Sequence, residues 1–428
     1  MSEFLLVIGC AQGRVRDLYH LFAVAKRNYG FGSLLICQTG TEIDEQQCDR
    51  VIYTDLTDSA KMVQVAEQLM ALDIATGVIF SDSATRHGPK LLHSLNFLDA
   101  ELDHCTTGND KFEFRKREAE LKEEAPNYSY APGFQELSTV SEVAELLGRY
   151  PNGIILKPKS EAGSRGVSRI RCHEEITDAF LNAEVFSTNG LVAEELLTIT
   201  QEFSFDGVGD TCFVTAKIVA NGRFPVEIGQ LVPAPVTEQL REKIAGMGRW
   251  MNRLASPMAT AFHNEIGLLA SDEEGSPYLA AIESNQRPAG MKIWTLAEKV
   301  FARDFYEYWL ESRLGVAVEQ VELTANGSAL TIMLGVEEGC VINHSVYADQ
   351  IETAFTSACQ DVGLNLFDFE WYENGLILGR EARSNAEFAA QACMHSSSAI
   401  SDINAVFGQV QALWQSVLSD YIERREVA

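Results

Sequence analysis

Two short stretches decide how this chain is read: Phe262-His263-Asn264-Glu265 and Ile282-Glu283-Ser284-Asn285-Gln286-Arg287-Pro288-Ala289-Gly290. Between them lies Ser271-Asp272-Glu273-Glu274-Gly275-Ser276-Pro277, a run of turn formers. Residues 259–268 and 278–283 are therefore expected to pair as a hairpin. The apolar run Ala280-Ala281-Ile282 sets Glu283 at the mouth of a buried strand. The two-residue period of a strand then points Glu283 and Asn285 to one face. A carboxylate and an amide oxygen at that spacing suit a hard, oxygen-seeking cation such as Mg²⁺. Glu265, on the neighbouring strand, offers a second carboxylate. Arg287 follows on the same face, placed for an anion. Its competing reading is a structural ion pair with Glu265 or Glu283.

Working upstream, Gly153-Ile154-Ile155-Leu156-Lys157-Pro158 reads as a buried strand ending in a lysine. An unpaired charge there is expensive, and a phosphate is one partner that justifies it. The loop that follows carries Gly163, Ser164, Arg165, Gly166 and Val167. Such a loop either turns backbone N–H groups toward phosphate oxygens or is simply a hairpin turn. No G-x-x-x-x-G-K-[ST] occurs, which excludes the P-loop fold. Glu194-Glu195-Leu196-Leu197 closes another strand, either a surface strand or one that offers backbone groups to an adenine edge. Glu202 would then accept ribose hydroxyls.

The first hundred residues alternate short apolar runs (residues 4–10, 33–37, 51–53 and 77–80) with amphipathic stretches at 17–27 and 59–72. That is the pattern of a doubly wound parallel α/β unit. Its first turn, Gly9-Cys10-Ala11-Gln12-Gly13, is not G-x-G-x-x-G, so no dinucleotide fingerprint is present. From Asn109 the texture becomes mostly antiparallel and helix-covered, with helices expected at 111–124, 236–253 and 295–314. Thr139 and Glu142 are placed for a capping box. Strand-like runs at 329–336 and 364–369 mark the tail. The expected division is 1–108, an N-terminal α/β domain; 109–210, a lid; 211–315, a central metal-binding part; and 316–428, a C-terminal α+β extension.

The 428 residues are 46% hydrophobic, which excludes disorder as the main state. With 34 basic against 61 acidic residues the net charge is −27, which argues against nucleic acid or an anionic membrane as the main partner. No run of eighteen apolar residues occurs, and the first nine residues lack a basic region, so neither a membrane span nor a leader is expected. Nine scattered cysteines without a C-x-x-C pair read as free thiols, several of them buried, in a reducing compartment, the cytoplasm.

Taken in order, these pieces resemble the ATP-grasp superfamily, specifically the carboxylate–amine ligases that include the L-amino-acid (dipeptide) ligases. The series is Lys111, Ile-Leu-Lys157-Pro, Gly-Ser-x-Gly-Val, Glu-Glu-x-Leu, Glu202, Phe-His-x-Glu265 and Glu283-x-Asn-x-Arg-Pro-x-Gly, and it spans about residues 1–315. The resemblance implies that Lys111 and Lys157 contact the ATP phosphates and that Gly163 to Val167 form a mobile cover. Glu194 or Glu195, with Leu196 and Leu197, would form the adenine hinge, and Glu202 would bind ribose. Glu265, Glu283 and Asn285 would hold two Mg²⁺ ions, with Mn²⁺ as a substitute. Arg287 and His263 would be the catalytic pair, although a core histidine is an equal reading of His263. Two departures stand out. Thr198 to Gln201 is about one residue longer than usual, and Ala289 replaces a common glycine. The implied reaction joins a carboxylate, by default an amino acid, to an amine through an acyl phosphate, releasing ADP and phosphate. A small natural-product pathway and a homodimer fit the resemblance. The alternatives are a formate- or bicarbonate-using enzyme of purine synthesis and a non-catalytic ATP-binding regulator. A biotin-carrying carboxylase is disfavoured, because Gly290-Met291-Lys292-Ile293 lacks the Ala-Met-Lys-Met context.

Overall fold

Strand β1 (Phe4–Ile8) is apolar throughout because both of its faces are covered. It pairs in parallel with β2 (Gly32–Gln38) and β4 (Ile74–Ile79), and β3 (Arg50–Thr54) completes a sheet of order β3-β2-β1-β4. Leu5, Val7, Leu35 and Cys37 pack toward helix α1 (Val15–Tyr29). Leu6, Ile8, Leu34 and Ile36 face α2 (Ser59–Leu69) and α3 (Gly88–Ser94). This is the doubly wound α/β unit expected. The structure, a computed structural model, describes residues 3–98, 107–255, 261–270, 278–316, 322–336, 340–341, 344–372, 382–421 and 423–424. The turn expected at 271–277 lies outside them.

The turn after β1 needs glycine. Gly9 has φ +82°, and a Cβ there would overlap Ser81 Oγ, so the loops after β1 and β4 lie in contact. Both sit at the carboxyl ends of parallel strands, where open α/β sheets bind ligands.

After α4 (Lys111–Glu120), which stops one 3₁₀ turn short of the expected end, comes a small antiparallel sheet. Its strands are β5 (Phe134–Leu137), β6 (Ile154–Pro158), β7 (Ser168–Ile170) and β8 (Leu191–Glu195), ordered β5-β8-β6-β7. Helices α5 (Val140–Leu147) and α6 (Ile176–Glu184) close its core of Val143, Leu146, Ile154, Leu156 and Ala179. The Thr139/Glu142 capping box forms as expected.

The rest of the chain builds one antiparallel sheet of eight strands. These are β9 (Ile199–Val208), β10 (Thr211–Val219), β11 (Glu227–Val232), β12 (Ala261–Leu269), β13 (Leu279–Asn285) and β14 (Ser328–Leu334), with β16 (Asn365–Trp371) and β17 (Ala390–Ser396). The order is β13-β12-β9-β10-β11-β14-β17-β16. A two-residue strand, β15 (Cys340–Val341), pairs apart with β18 (Glu423–Arg424). The large sheet runs across the expected boundaries at 210/211 and 315/316, since β9 joins it from one side and β14, β16 and β17 from the other.

One face of this sheet is apolar. Phe203, Phe205, Phe262, Ile266, Leu279 and Ala281 pack on Met247, Trp250, Met251 and Leu254 of α7 (Glu238–Ala255). Gly248 lets α7 approach, for a Cβ there would overlap the Phe205 ring. The same cluster continues through Leu330, Ile332 and Leu334 to α10 (His344–Asp361) and α11 (Ile403–Leu418). The segment expected as one helix from 295 to 314 is instead two, α8 (Ile293–Phe301) and α9 (Phe305–Arg313). Ala302 takes a left-handed φ of +51°, and the Asp304 carboxylate caps the new helix by accepting from the N–H groups of Tyr306 and Glu307. The break turns Trp294 and Trp309 into one core with Leu18, Leu21 and Phe22 of α1, which seats the N-terminal unit on the large sheet.

Among the described cysteines Cys10, Cys37, Cys359 and Cys393 are buried and free, whereas Cys172 is exposed. No helix among the described residues is long and apolar enough to cross a membrane.

The seam between the N-terminal unit, the loop before α8 and β16 is also ionic. The buried Lys292 ammonium lies 3.6 Å from Asp17, 3.7 Å from Asp368 and 3.4 Å from Glu370. Removing the cation leaves three carboxylates facing one another, so Lys292→Met is expected to destabilise the chain by about 3 kcal/mol. Arg149→Met, which breaks an exposed pair with Glu145, should cost less than about 1 kcal/mol. Urea unfolding of the two variants beside the wild type checks the difference.

Candidate active site

The polar face of the large sheet, the small sheet and the loops of the N-terminal unit enclose a cavity of about 1020 Å³. Alternation along the strands decides what reaches it. On β9, Phe203 and Phe205 enter the core, so Glu202, Ser204 and Asp206 rise to the other side. On β12, Phe262 and Ile266 turn toward α7, leaving His263 and Glu265 on the cavity side.

Strand β13 breaks the rule once. Glu265 stands opposite Glu283 and Ile266 opposite Ala281, so Ile282 has no partner and forms a bulge. Leu279 and Ala281 before it face the core, whereas Glu283 and Asn285 after it face the cavity. The expected pairing of Glu283 and Asn285 on one face holds, and the bulge is what aims that face.

The floor is a chain of paired charges. Lys217, on β10 and without solvent exposure, bonds Glu227 and lies 2.9 Å from Glu265. His263 meets Asp206 through Nδ1 at 2.6 Å and Glu265 through Nε2 at 3.1 Å. Asp206 accepts in turn from Ser204 and Thr215 at 2.6 and 2.8 Å. Burial opposes the imidazolium, but Asp206 and Glu265 overcome it and push His263 up to about 9. Burial raises Glu202 to about 7, against the pull of Lys217.

Beside the floor, Lys111 Nζ lies 3.2 Å from Glu283 and donates to the Glu161 carbonyl at 2.6 Å. Arg287 grips Asp82 with both arms, Nε at 2.7 Å and Nη2 at 3.0 Å. The structural ion pair weighed for Arg287 therefore exists, but its partner is Asp82 from the N-terminal unit rather than Glu265 or Glu283. Arg14 braces this corner by donating to the carbonyl of Pro288 at 2.8 Å and to that of Phe80 at 3.2 Å.

The roof is the small sheet. Lys157 stands at the end of β6, one residue before Pro158, and its ammonium donates to Glu194 at 2.9 Å. Arg115 donates to the same oxygen at 3.0 Å and to Glu118 at 2.6 Å. Burial works against the Glu194 charge, yet Arg115 and Lys157 hold it down at about 2. Glu195, next along β8, turns the other way and accepts from the Tyr130 hydroxyl at 2.9 Å. The loop beyond β6 is left-handed at Gly163, Ser164 and Gly166, and the Ser164 hydroxyl ties it to the Pro225 carbonyl at 2.9 Å.

Every site residue expected from the sequence lines this cavity except Gly166, which sits behind the loop against Pro158 and Phe186. Asp82, Arg115, Asp206, Lys217 and Glu227 were not singled out. Lys217 carried the same signal as Lys157, a lysine inside a buried strand (Phe213-Val214-Thr215-Ala216-Lys217-Ile218-Val219). Asp82 follows the last parallel strand, where position alone was the clue.

The donor set also fits a hard cation. The Asn285 amide meets Glu283 Oε1 at 3.0 Å and Asp82 Oδ1 at 3.2 Å. Its nitrogen satisfies both carboxylates as they stand, and a half-turn of the amide presents its oxygen to a cation held between them.

Glu202 supplies a pH test. Its raised value means that the folded chain holds a proton there which the unfolded chain has released. That stability is complete below the ordinary carboxylate range and is lost as pH rises through about 7. Glu202→Gln is expected to flatten the fall in stability between pH 5 and pH 8, a difference of up to about 3 kcal/mol. Denaturant unfolding of both proteins across that range measures it.

No family model and no curated protein matches the chain. Solved structures do. An L-amino acid ligase from Bacillus licheniformis superposes with a TM-score of 0.72 at 16% identity, over 99% of this chain and 98% of that one. A carboxyaminoimidazole ribonucleotide synthase from Aspergillus clavatus, complexed with ATP, gives 0.67 at 14% identity over 98% and 99%. The biotin carboxylase domain of a Hydrogenobacter thermophilus 2-oxoglutarate carboxylase, in complex with MgADP, ADP and bicarbonate, gives 0.62 at 13% over 99% and 91%. These identities speak for the fold alone, and the shared architecture covers the tail as well as the first 315 residues: the chain has the ATP-grasp fold.

Proposed function

We propose that the chain is an ATP-dependent ligase that joins a carboxylate to an amine and releases ADP and phosphate. The observation that carries this reading is convergence. Lys111, Lys157, the 163–167 loop, Glu265, Glu283, Asn285 and Arg287 come from separate elements and line one cavity.

The chemistry needs two anions, ATP and a carboxylate, to meet in a protein of charge −27. Lys111 and Lys157 supply positive charge for the phosphates, and the glycine-bearing loop supplies N–H groups over them. Glu265, Glu283 and the Asn285 oxygen would hold Mg²⁺, two ions in the full reading with Mn²⁺ as substitute; bound there, it would offset the phosphate charge. Arg287 positions the carboxylate with its planar fork. A carboxylate oxygen attacks the γ-phosphorus as the bond to the ADP oxygen breaks, giving an acyl phosphate. The amine then attacks the acyl carbon, the phosphate leaves with the C–O electron pair, and the nitrogen loses its proton. A closed roof keeps water from the acyl phosphate.

An amino acid is the proposed carboxylate and a second amino acid the proposed amine. The likeness to the L-amino acid ligase supports this, and the free cysteines support a cytoplasmic setting.

Incubation with ATP, Mg²⁺ and pairwise amino-acid mixtures should release one ADP and one phosphate per amide, read by phosphate assay and mass spectrometry. AMP as the main product overturns the acyl-phosphate reading, and ADP release on bicarbonate alone moves the substrate class. Glu283→Gln should lose more than about 10²-fold in turnover while melting normally. Arg287→Lys keeps the charge but loses the fork, and should lose about 10²-fold in kcat with ATP affinity intact. An equal loss of ATP affinity or of thermal stability would make Arg287 a strut for Asp82 only.

A further inference from the structure

The reaction above asks Arg287 to receive a substrate carboxylate, yet its guanidinium is already occupied. Nε and Nη2 hold the two oxygens of Asp82 at 2.7 and 3.0 Å, and Nη1 donates to the Pro288 carbonyl at 3.1 Å. An incoming carboxylate can engage the fork only by displacing Asp82. Asp82 is then left without its cation.

Asp82 is not free to withdraw. It opens the turn after β4, where its carbonyl accepts from the Thr85 N–H at 3.1 Å, the Thr85 hydroxyl at 2.7 Å and Asn109 Nδ2 at 3.1 Å. The neighbouring cations among the described residues are committed elsewhere. Lys111 is held by Glu283 and the Glu161 carbonyl, and Arg14 by Asp17, the Tyr306 hydroxyl and the carbonyls of Phe80 and Pro288. The Asn285 amide, 3.2 Å from Asp82 Oδ1, carries no charge. A carboxylate stripped of its cation in a partly closed site is costly, so a new cation must come with the ligand.

Both partners can be reached. The Asp82 side chain is 31% exposed and that of Arg287 11%, and both line the cavity. Gly13, next to Arg14, and Gly290, three residues beyond Arg287, line it too, and a Cβ on either would meet no atom within 4 Å. That corner has open space.

We propose that Asp82 receives the α-ammonium of the substrate whose carboxylate Arg287 takes, so that the Arg287–Asp82 pair opens around an α-amino acid zwitterion. Such a ligand carries its two charges one carbon apart, and one internal ion pair becomes two pairs across the ligand. A carboxylic acid without the amino group would leave Asp82 unpaired. An amine without the carboxylate would meet an Asp82 still gripped by Arg287. The site therefore refuses both fragments, and Asp82 is the residue that selects the substrate class. This assignment rests on the carboxylate role of Arg287 in the function proposed above.

Calorimetry on the protein loaded with ADP and Mg²⁺ tests it with three matched sets. These are L-alanine, propanoate and ethylamine; L-leucine, 4-methylpentanoate and 3-methylbutylamine; and L-phenylalanine, 3-phenylpropanoate and 2-phenylethylamine. In at least one set the amino acid should bind about 30-fold more tightly than either fragment. Asp82→Asn keeps the shape and removes the charge. It should weaken that amino acid about tenfold and tighten its des-amino acid, because Arg287 no longer gives up a carboxylate to bind one. Damage to the fold would weaken both alike. Equal binding of amino acid and des-amino acid in every set, no acid bound at all, or a variant that weakens both overturns the proposal. So does an amine that binds as tightly as its amino acid and is lost in Asp82→Asn, for Asp82 then serves the attacking amine. Phosphate release is read separately on the same compounds. A zwitterion preference that Asp82→Asn reverses, without phosphate release in any amine pairing, sinks the ligase reading and keeps the Asp82 assignment. Phosphate release without a preference does the reverse.

Discussion

The two-residue alternation of the eight-stranded sheet is the constraint on which the rest depends. A sheet covered by helices on one side must keep that face apolar along every strand, and each strand then delivers its other face to the cavity whether or not those residues are polar. Here Phe203, Phe205, Phe262, Ile266, Leu279 and Ala281 satisfy α7, and Glu202, Asp206, His263 and Glu265 follow as a consequence. The bulge at Ile282 is the slip that re-aims β13. Without it Glu283 would share a face with Leu279 and Ala281 and drive a carboxylate against Trp250 and Leu254, a cost no isolated ion pair repays. One extra residue moves that carboxylate beside Lys111.

The cavity then has a charge problem of its own making. Carboxylates from five strands or loops converge where little water reaches, and each is matched to a cation: Glu227 and Glu265 to Lys217, Glu283 to Lys111, Asp82 to Arg287, Glu194 to Arg115 and Lys157. Such pairs add little net stability against an apolar alternative, but removing one partner is costly, so the set holds its geometry collectively. Lys111 and Arg287 pair with carboxylates at the cavity wall, whereas the Lys217 side chain is wholly buried. The first two are placed to exchange a carboxylate for an incoming anion, and Lys217 is placed to stay.

Much of this was legible in the residues. Continuous apolar runs announced the parallel sheet because both faces of β1 are buried, and Lys157 announced itself as a cation in a core strand. The short motifs lie on separate helices, strands and loops, and the structure brings their residues to one cavity. What was hidden has physical reasons. The bulge at Ile282 leaves no mark in composition, since Ala280, Ala281 and Ile282 are apolar on either face. The break at Ala302 was masked by helix formers on both sides and depends on the capping carboxylate of Asp304. Asp82, Arg14 and Arg115 act across distances of 166 to 274 residues in the chain, which no local pattern records.

The tail was the least legible part, and the sheet explains why it matters. β14 and β17 repeat the alternation, with Leu330, Ile332 and Leu334 sent to the core and Thr331, Met333 and Gln391 to the other side. The sequence of β17, Ala390-Gln391-Ala392-Cys393-Met394-His395-Ser396, has side chains too small and too mixed to show that period. Yet adding β14, β17 and β16 beyond β11 is what lengthens the floor past the charged centre, and it brings Met333 and Gln391 to the cavity wall. The charged part of the floor lies on β9 to β13, and the neutral part on β11, β14 and β17 with the residues that follow β16. The two parts are not independent, because Gln230 of the neutral part donates to Glu227, which pairs with Lys217, so a change at the neutral end of the sheet reaches the ion pairs at the charged one.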